Sequence, residues 1–380
     1  MRPPILYRVH LTRIIPIAIT LGFILFSAGC SSLSYILHAA SGQFRLLYNA
    51  IPVGDALKAD SLSPEQKERL RLVDQIKEFG EGTLGLKKTG NYETVNLQSS
   101  QNPIYVVSAC HKDKLVQITW WFPVVGRLPY LGFFDLRSAS EERDNLFKKD
   151  LDVIIGRGEA YSTLGWFQDP VTLNLLEGST VDLVETLLHE MTHATLYVKG
   201  QGEFNEGLAQ LVGKMGAILF TKDRYGPEHP FTLEAIRAIE DERLFSPFLS
   251  SLLSDLESLY DSPLSRKEKL IRRETVFSGY RKRSREMESR LQTDRFKGFE
   301  NAGLNNAYLM SIGLYHRHFL LFEAILKRHG NSIKETVLFF RNLSNKNGDI
   351  LEKAKEWLDK EGSYHSLIEA TNGNLCQGPR

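Results

Sequence analysis

The residues His-Glu-Met-Thr-His at 189–193 are the ones whose types and spacing could do chemistry. An α-helix turns about 100° per residue, so His189 and His193, four apart, share a face and both imidazoles can reach one ion. That is the geometry of two zinc ligands. Glu190 lies about 100° further round, outside the ligand set but able to touch a water held beside the ion, which makes it the natural general base. Zinc in a hydrolytic site takes three protein donors and a water. Glu206, in Phe-Asn-Glu-Gly-Leu-Ala at 204–209, fits as the third: a turn over 199–203 reverses the chain, and a second helix starting near Asn205 brings its first turn back beside the histidines. Glu203 is the alternative, but it stands in the Gly-containing turn, where a ligand is held less rigidly.

Elements that could position these residues are readable on either side. Ser179 or Thr180 can cap a helix with Asp182 in its first turn, where a carboxylate suits the helix dipole. Leu183, Val184, Leu187, Leu188, Met191 and Ala194 then recur at three- and four-residue spacing, and Gly200 and Gly202 are expected to stop the run. Imidazoles inside so apolar a helix need partners for their nitrogens, and a metal supplies one. Upstream, 92–97, 104–109, 115–122 and 151–155 are rich in β-branched and aromatic residues and read as a small mixed sheet. The aromatic stretches 120–126 and 129–135 serve as core or as a substrate wall. Ser63-Pro64-Glu65-Gln66 is a capping box opening a helix to about Phe79, and 31–60 is expected to begin with a helix of its own. Beyond Phe220 the pattern is helical: a mixed-sign charged run over 265–295 that suits a solvated face better than a lipid-binding block, a helix from Leu304 through Tyr315 and His318 to about Lys327, then 332–343 and 349–359. The fold class is α+β, mainly helical, with the small sheet ahead of the HExxH helix. One domain spans 30–380: sheet-rich over 91–167, site helices over 180–220, a helical part over 227–370.

Composition narrows the class further. With 380 residues, 42% of them hydrophobic, the chain can bury a sizeable core, and a net charge of +1 leaves no field for nucleic acid. Arg2, Arg8 and Arg13 precede an apolar run over 14–26 and then Ser27-Ala28-Gly29-Cys30, the layout of a secretory signal over 1–29. Small residues before a cysteine resemble the bacterial lipobox, which makes Cys30 the lipidated first residue of the mature chain. An uncleaved anchor is the alternative, although the run is short for a bilayer. Ser31 and Ser32 lack the Asp of retained lipoproteins, pointing to the outer membrane, facing the periplasm. Export permits a disulfide between Cys110 and Cys376, and the absence of CxxC argues against a cysteine metal site. About twenty-five residues before the HExxH stretch, Tyr161-Ser162-Thr163-Leu164-Gly165-Trp166 reads either as an edge strand that lines the cleft with Ser162, Thr163, Leu164 and Gly165, or as an ordinary buried strand and turn.

Taken together, the lipobox, PVVGRLPYLGFFD, AYSTLGWFQDP, HEMTH, FNEGLA and LNNAYL resemble the bacterial zinc aminopeptidase family (Aminopep), exported lipoproteins of the gluzincin-like group. The resemblance implies a gluzincin-like fold, one Zn²⁺ held by His189, His193 and Glu206, Glu190 as the catalytic residue, and a peptide substrate. Arg127 stands where the family often has a cysteine, so a disulfide from Cys110 to that position is out of reach, and Gly207 replaces a more usual serine. Related zinc peptidases bring a downstream tyrosine or histidine over the metal. Tyr308 and Tyr315 are the candidates, with a buried structural tyrosine as the other reading. The implied reaction is amide hydrolysis in which Glu190 takes a proton from the attacking water and returns it to the leaving amine. Aminopeptidase action also needs an acid to capture the α-amine, for which Glu159, Glu203 and Asp169 are available. An endopeptidase is the enzymatic alternative, and an inactive, zinc-stabilised envelope lipoprotein the non-enzymatic one. Protein partners are unknown.

Overall fold

The structure is a computed structural model of the chain, described here for residues 49–97, 104–122, 126–158 and 168–360. The predicted leader over 1–29, Cys30, the segment 159–167 with Ser162 to Gly165, and Cys376 lie outside the described residues.

Strand β1 (Ala50–Pro52) opens the compact unit, with Ala50 to Pro52 paired antiparallel to 94–96, and the helix expected at the start of 31–60 falls outside the described residues. A single turn, α1 (Val53–Ala56), leads to α2 (Pro64–Gly82). Its capping box is formed: the Gln66 N–H donates to Ser63 Oγ (3.2 Å), and the Ser63 N–H donates to Gln66 Oε1 (2.9 Å). Leu70, Val73 and Ile76 face inward, fully buried.

Next come β2 (Thr94–Asn96), β3 (Ile104–His111), β4 (Trp120–Phe122), β5 (Gly126–Leu128), β6 (Leu131–Phe133), α3 (Leu136–Phe147), β7 (Leu151–Gly158) and β8 (Val171–Thr172). The expected single sheet is instead three small ones among the described residues: β1-β2-β8, with β2 and β8 parallel; β6-β3-β7, antiparallel; and the hairpin β4-β5. Strand signals cannot say which strand pairs with which, and β2 is taken up by β1 and β8. Helix α3 went unassigned because its stretch is mostly polar, yet Asp135 caps it by accepting from the Ser138 N–H at 2.8 Å.

From there the chain is helical: a 3₁₀ turn (Leu173–Leu176), then α4 (Thr180–Thr195), α5 (Gly202–Tyr225), α6 (Pro230–Asp261), α7 (Arg266–Glu288), α8 (Asn306–His316), α9 (Phe319–Arg328), α10 (Ile333–Ser344) and α11 (Ile350–Lys360). Helix α4 opens on Ser179, whose hydroxyl accepts from Asp182 N–H at 3.0 Å. Gly202 begins α5 rather than ending α4, which stops at Thr195. Val181, Leu183, Val184, Leu187 and Leu188 are buried in one core with residues of α2, α5, α9, α10 and α11, worth about 1.5–3 kcal/mol for each large side chain. A second core joins α6, α7 and α8 around Phe248, Leu252, Leu253, Phe277 and Leu309.

One helix had been expected over 304–327, and two are found. The break at Arg317 and His318 frees the His318 ring to meet Glu203. Asn305 and Asn306 dock α8 on the sheet. Asn305 Oδ1 accepts from Tyr308 N–H (2.9 Å), the Asn306 N–H donates to Asp152 Oδ2 (2.9 Å), and its side chain donates to the His111 carbonyl (2.8 Å). Arg273, turned inward from the charged α7, pairs with the same Asp152 at 2.8 Å. No helix among the described residues is long and apolar enough to cross a membrane.

Candidate metal centre

Helices α4 and α5 are joined by six residues, and Asn205 clamps that turn in both directions: its Nδ2 donates to the Val198 carbonyl and its Oδ1 accepts from the Val198 N–H, each at 2.8 Å. Phe204 on one side packs into the core against Phe322 and Phe340. Gly207 on the other meets the Phe322 ring so closely that any Cβ there would lie 2.4 Å from it. Glu206 is thereby aimed back at α4.

There it meets both histidines. His189 Nε2 lies 3.2 Å from Glu206 Oε2 and 3.1 Å from His193 Nε2, and His193 Nε2 lies 3.4 Å from Glu206 Oε2. Donors around tetrahedral zinc, with bonds near 2.0–2.1 Å, sit about 3.3–3.4 Å apart, so the triangle has the size that one such ion requires. These three residues form a group that could hold a metal ion. Glu190 stands beside them with Oε2 buried and without a hydrogen-bond partner among the described residues, and so does His193 Nδ1.

The electrostatics favour a cation. Burial alone would push the His193 imidazole down, but the Glu206 carboxylate outweighs it and raises His193 to about 8. Burial would conversely raise the Glu206 carboxyl, yet His193 and His189 hold it well below the usual carboxylate range. The sign follows. In the metal-free chain the His193 contribution to stability is complete below about 6.5 and lost as pH rises through about 8, whereas the Glu206 contribution is lost as pH falls below 4.5. A metal must displace the proton on His193. Zinc affinity should therefore strengthen about tenfold per pH unit up to about 8 and then level off, as read by chelator competition across pH 6–9. A flat profile would count against the pairing.

The other anticipated residues fall as follows. Tyr315 on α8 lies over His189, ring centroids 6.0 Å apart and inclined by 28°. Tyr308, two turns earlier, packs instead near Phe299 at 6.2 Å. Glu203 accepts from His318 Nε2 at 3.1 Å, which holds its carboxyl low against the opposing effect of burial, and it is not in the triangle. Asp169 is 1% exposed, its backbone tied to Asn91 and Tyr92. Glu159 lies outside the described residues. Cys110 is a buried free thiol, pushed up to about 12 by burial.

Three neighbours went unrecognised in the sequence. Tyr197 sets its ring 6.2 Å from His193, and its hydroxyl is raised by burial and by Glu206. Spacing of one turn from His193 was the available signal. Buried Tyr92 feels the Glu190 charge from a position ninety-eight residues upstream that no local pattern marks. Gly213 sets the approach of α5 to α4: a Cβ there would lie 2.6 Å from the Glu185 carbonyl and 3.4 Å from His189 Cβ.

Comparison with known families decides the affiliation. A family model described as "Putative aminopeptidase" (Aminopep) matches residues 34–356. The chain belongs to the Aminopep family. No curated protein and no solved structure matches it. The matched span of Aminopep contains all four residues of the centre as well as Tyr315, so the family description and the triangle bear on the same part of the chain.

Proposed function

We propose that this chain is a zinc peptidase of the gluzincin kind that removes residues from the free amino end of peptides. What carries the reading is the convergence of His189, His193 and Glu206 donor atoms within 3.1–3.4 Å, with a Glu190 oxygen beside them that has no hydrogen-bond partner among the described residues. The residues fit zinc: two imidazoles and a carboxylate, on two helices whose connecting turn is clamped by the buried Asn205. Zinc, when bound there, supplies Lewis acidity to the scissile carbonyl and lowers the pKa of water toward 7.

The chain's own residues do the rest. Glu190 Oε2 accepts the proton of the attacking water, and the same carboxyl then delivers it to the leaving nitrogen, so one group serves as base and as acid. To Tyr315, whose ring stacks along His189, we assign donation of its hydroxyl to the oxygen that gains charge as the carbonyl is attacked. Tyr315→Phe should lower kcat about 100-fold with KM and bound zinc little changed, whereas unchanged turnover would remove Tyr315 from this role.

To Glu203, one helical turn before Glu206 on α5 and held ionised by His318, we assign the capture of the substrate α-amine. Free and N-acetylated forms of the same peptides separate the two modes of cleavage. Loss of cleavage on acetylation supports the aminopeptidase, and equal cleavage makes the protein an endopeptidase. The leader and Cys30 make it an exported lipoprotein, tethered in the cell envelope and facing the periplasm. Cys30→Ala should leave the membrane fraction, and a variant that still sediments with membranes would favour the uncleaved anchor.

A further inference from the structure

Behind the metal triangle lies a set of buried charges that the proposed chemistry does not use. Lys214 on α5 is 2% exposed and sits between Glu185 of α4 (3.6 Å) and Glu242 of α6 (3.5 Å), the latter fully buried. Glu242 reaches His316 Nδ1 through its other oxygen, at 2.7 Å. Glu185 is also met by Arg295 Nη1 at 2.7 Å, and Arg295 holds Asp182 at 2.7 Å as well. Lysine and glutamate are almost never fully buried unless paired, and a buried ion pair is weak evidence of stability, since apolar residues of similar volume often serve as well or better. Its best-attested use is to fix register.

Both ends of this chain of charges stop next to the metal centre. Glu185 precedes His189 by one helical turn and shares its face. Gly213, the residue before Lys214, is where α5 comes against Glu185 and His189. At the far end His316 follows Tyr315, the ring that lies along His189. His316 is also gripped edge-on by Phe245 and Phe296, at 5.4 and 5.2 Å. Apolar helix faces can slide past one another at small cost. A lysine between two buried carboxylates from different helices cannot, because a shift that lengthens either contact leaves a charge uncompensated.

We infer that Glu185, Lys214, Glu242 and His316 are positioning residues of the metal centre: Lys214 fixes α4 on α5 so that His189 meets Glu206, and Glu242 fixes α8 through His316 so that Tyr315 meets His189. The inference rests on the reading of His189, His193 and Glu206 as a zinc site.

Two variants of the full chain test it. Lys214→Met should weaken zinc binding at least about tenfold by chelator competition, with circular dichroism showing a folded chain. A merely structural lysine would lower the melting temperature and leave the affinity of the folded chain where it was, which overturns the proposal. If Lys214→Met fails to fold, His316→Gln, at a less buried position, carries the test. It should lower kcat with zinc content and KM unchanged, and add little to the loss already caused by Tyr315→Phe. Independent, additive losses would overturn it. A wild-type chain that takes up no zinc overturns the zinc reading and the positioning role with it. Wild-type uptake with unaltered affinity in Lys214→Met, or additivity in the His316 cycle, overturns the positioning role alone.

Discussion

Glu190→Gln should abolish measurable peptide cleavage while the chain still binds zinc. Glutamine keeps the size of the side chain and its place on α4, one residue from His189, but cannot accept a proton at neutral pH. Positioned proton transfer contributes about 10²–10⁴ in rate, so a fall of that order in kcat with an unchanged metal stoichiometry is expected. The structure adds a reason to expect a clean result. Glu190 Oε2 takes no hydrogen bond among the described residues, so the substitution breaks none there. Loss of zinc from this variant would move Glu190 into the ligand set, and retained cleavage would take the base away from it. A chain that binds zinc in both forms and cleaves no peptide in either would instead be the metal-stabilised scaffold.

Glu206→Ala should have the largest effect on metal binding. The carboxylate supplies the negative charge of the triangle and reaches both imidazoles, at 3.2 and 3.4 Å. Residues that only orient metal ligands cost 10–100-fold in affinity when changed, so loss of a donor should cost more than about 100-fold. The same change removes the main charge that raises His193, and the imidazole then falls back because burial is opposed only by Glu190. Zinc should consequently raise the melting temperature of the wild type by mass action and leave that of Glu206→Ala unmoved at equal concentration. An equal thermal shift in both would mean that zinc binds elsewhere.

The site was more legible in the sequence than the sheets that precede it, and the reason is one of range. His189, Glu190 and His193 are related by a helical period, and Glu206 is brought back to them by a turn marked by Gly200, although that turn spans 196–201 rather than 199–203 and α5 starts at Gly202 rather than near Asn205. Such local geometry survives folding. Ser179, Asp182 and the capping box at Ser63 were visible for the same reason. The grouping of strands was not, because the pairing of β1 with β2 and of β2 with β8 joins residues 51, 95 and 171, and such distant partners leave no periodic trace. The break between α8 and α9 escaped because Leu304 to Lys327 carries no proline to mark it. His318 leaves the helical path to meet Glu203, a tertiary contact that overrides propensity. Lys214 and Glu242 could not have been singled out either, since buried charges look like surface charges until the helices that enclose them are in place.

The affiliation with Aminopep is carried by most of the chain, and the zinc reading by three atoms. Elemental analysis of the purified full-length protein by inductively coupled plasma mass spectrometry, for the wild type and for His193→Ala, tests that reading most directly. One zinc per wild-type chain and none in the variant is the predicted result. A wild-type chain that folds and holds no zinc after incubation with it, or a variant that holds as much as the wild type, would contradict the account.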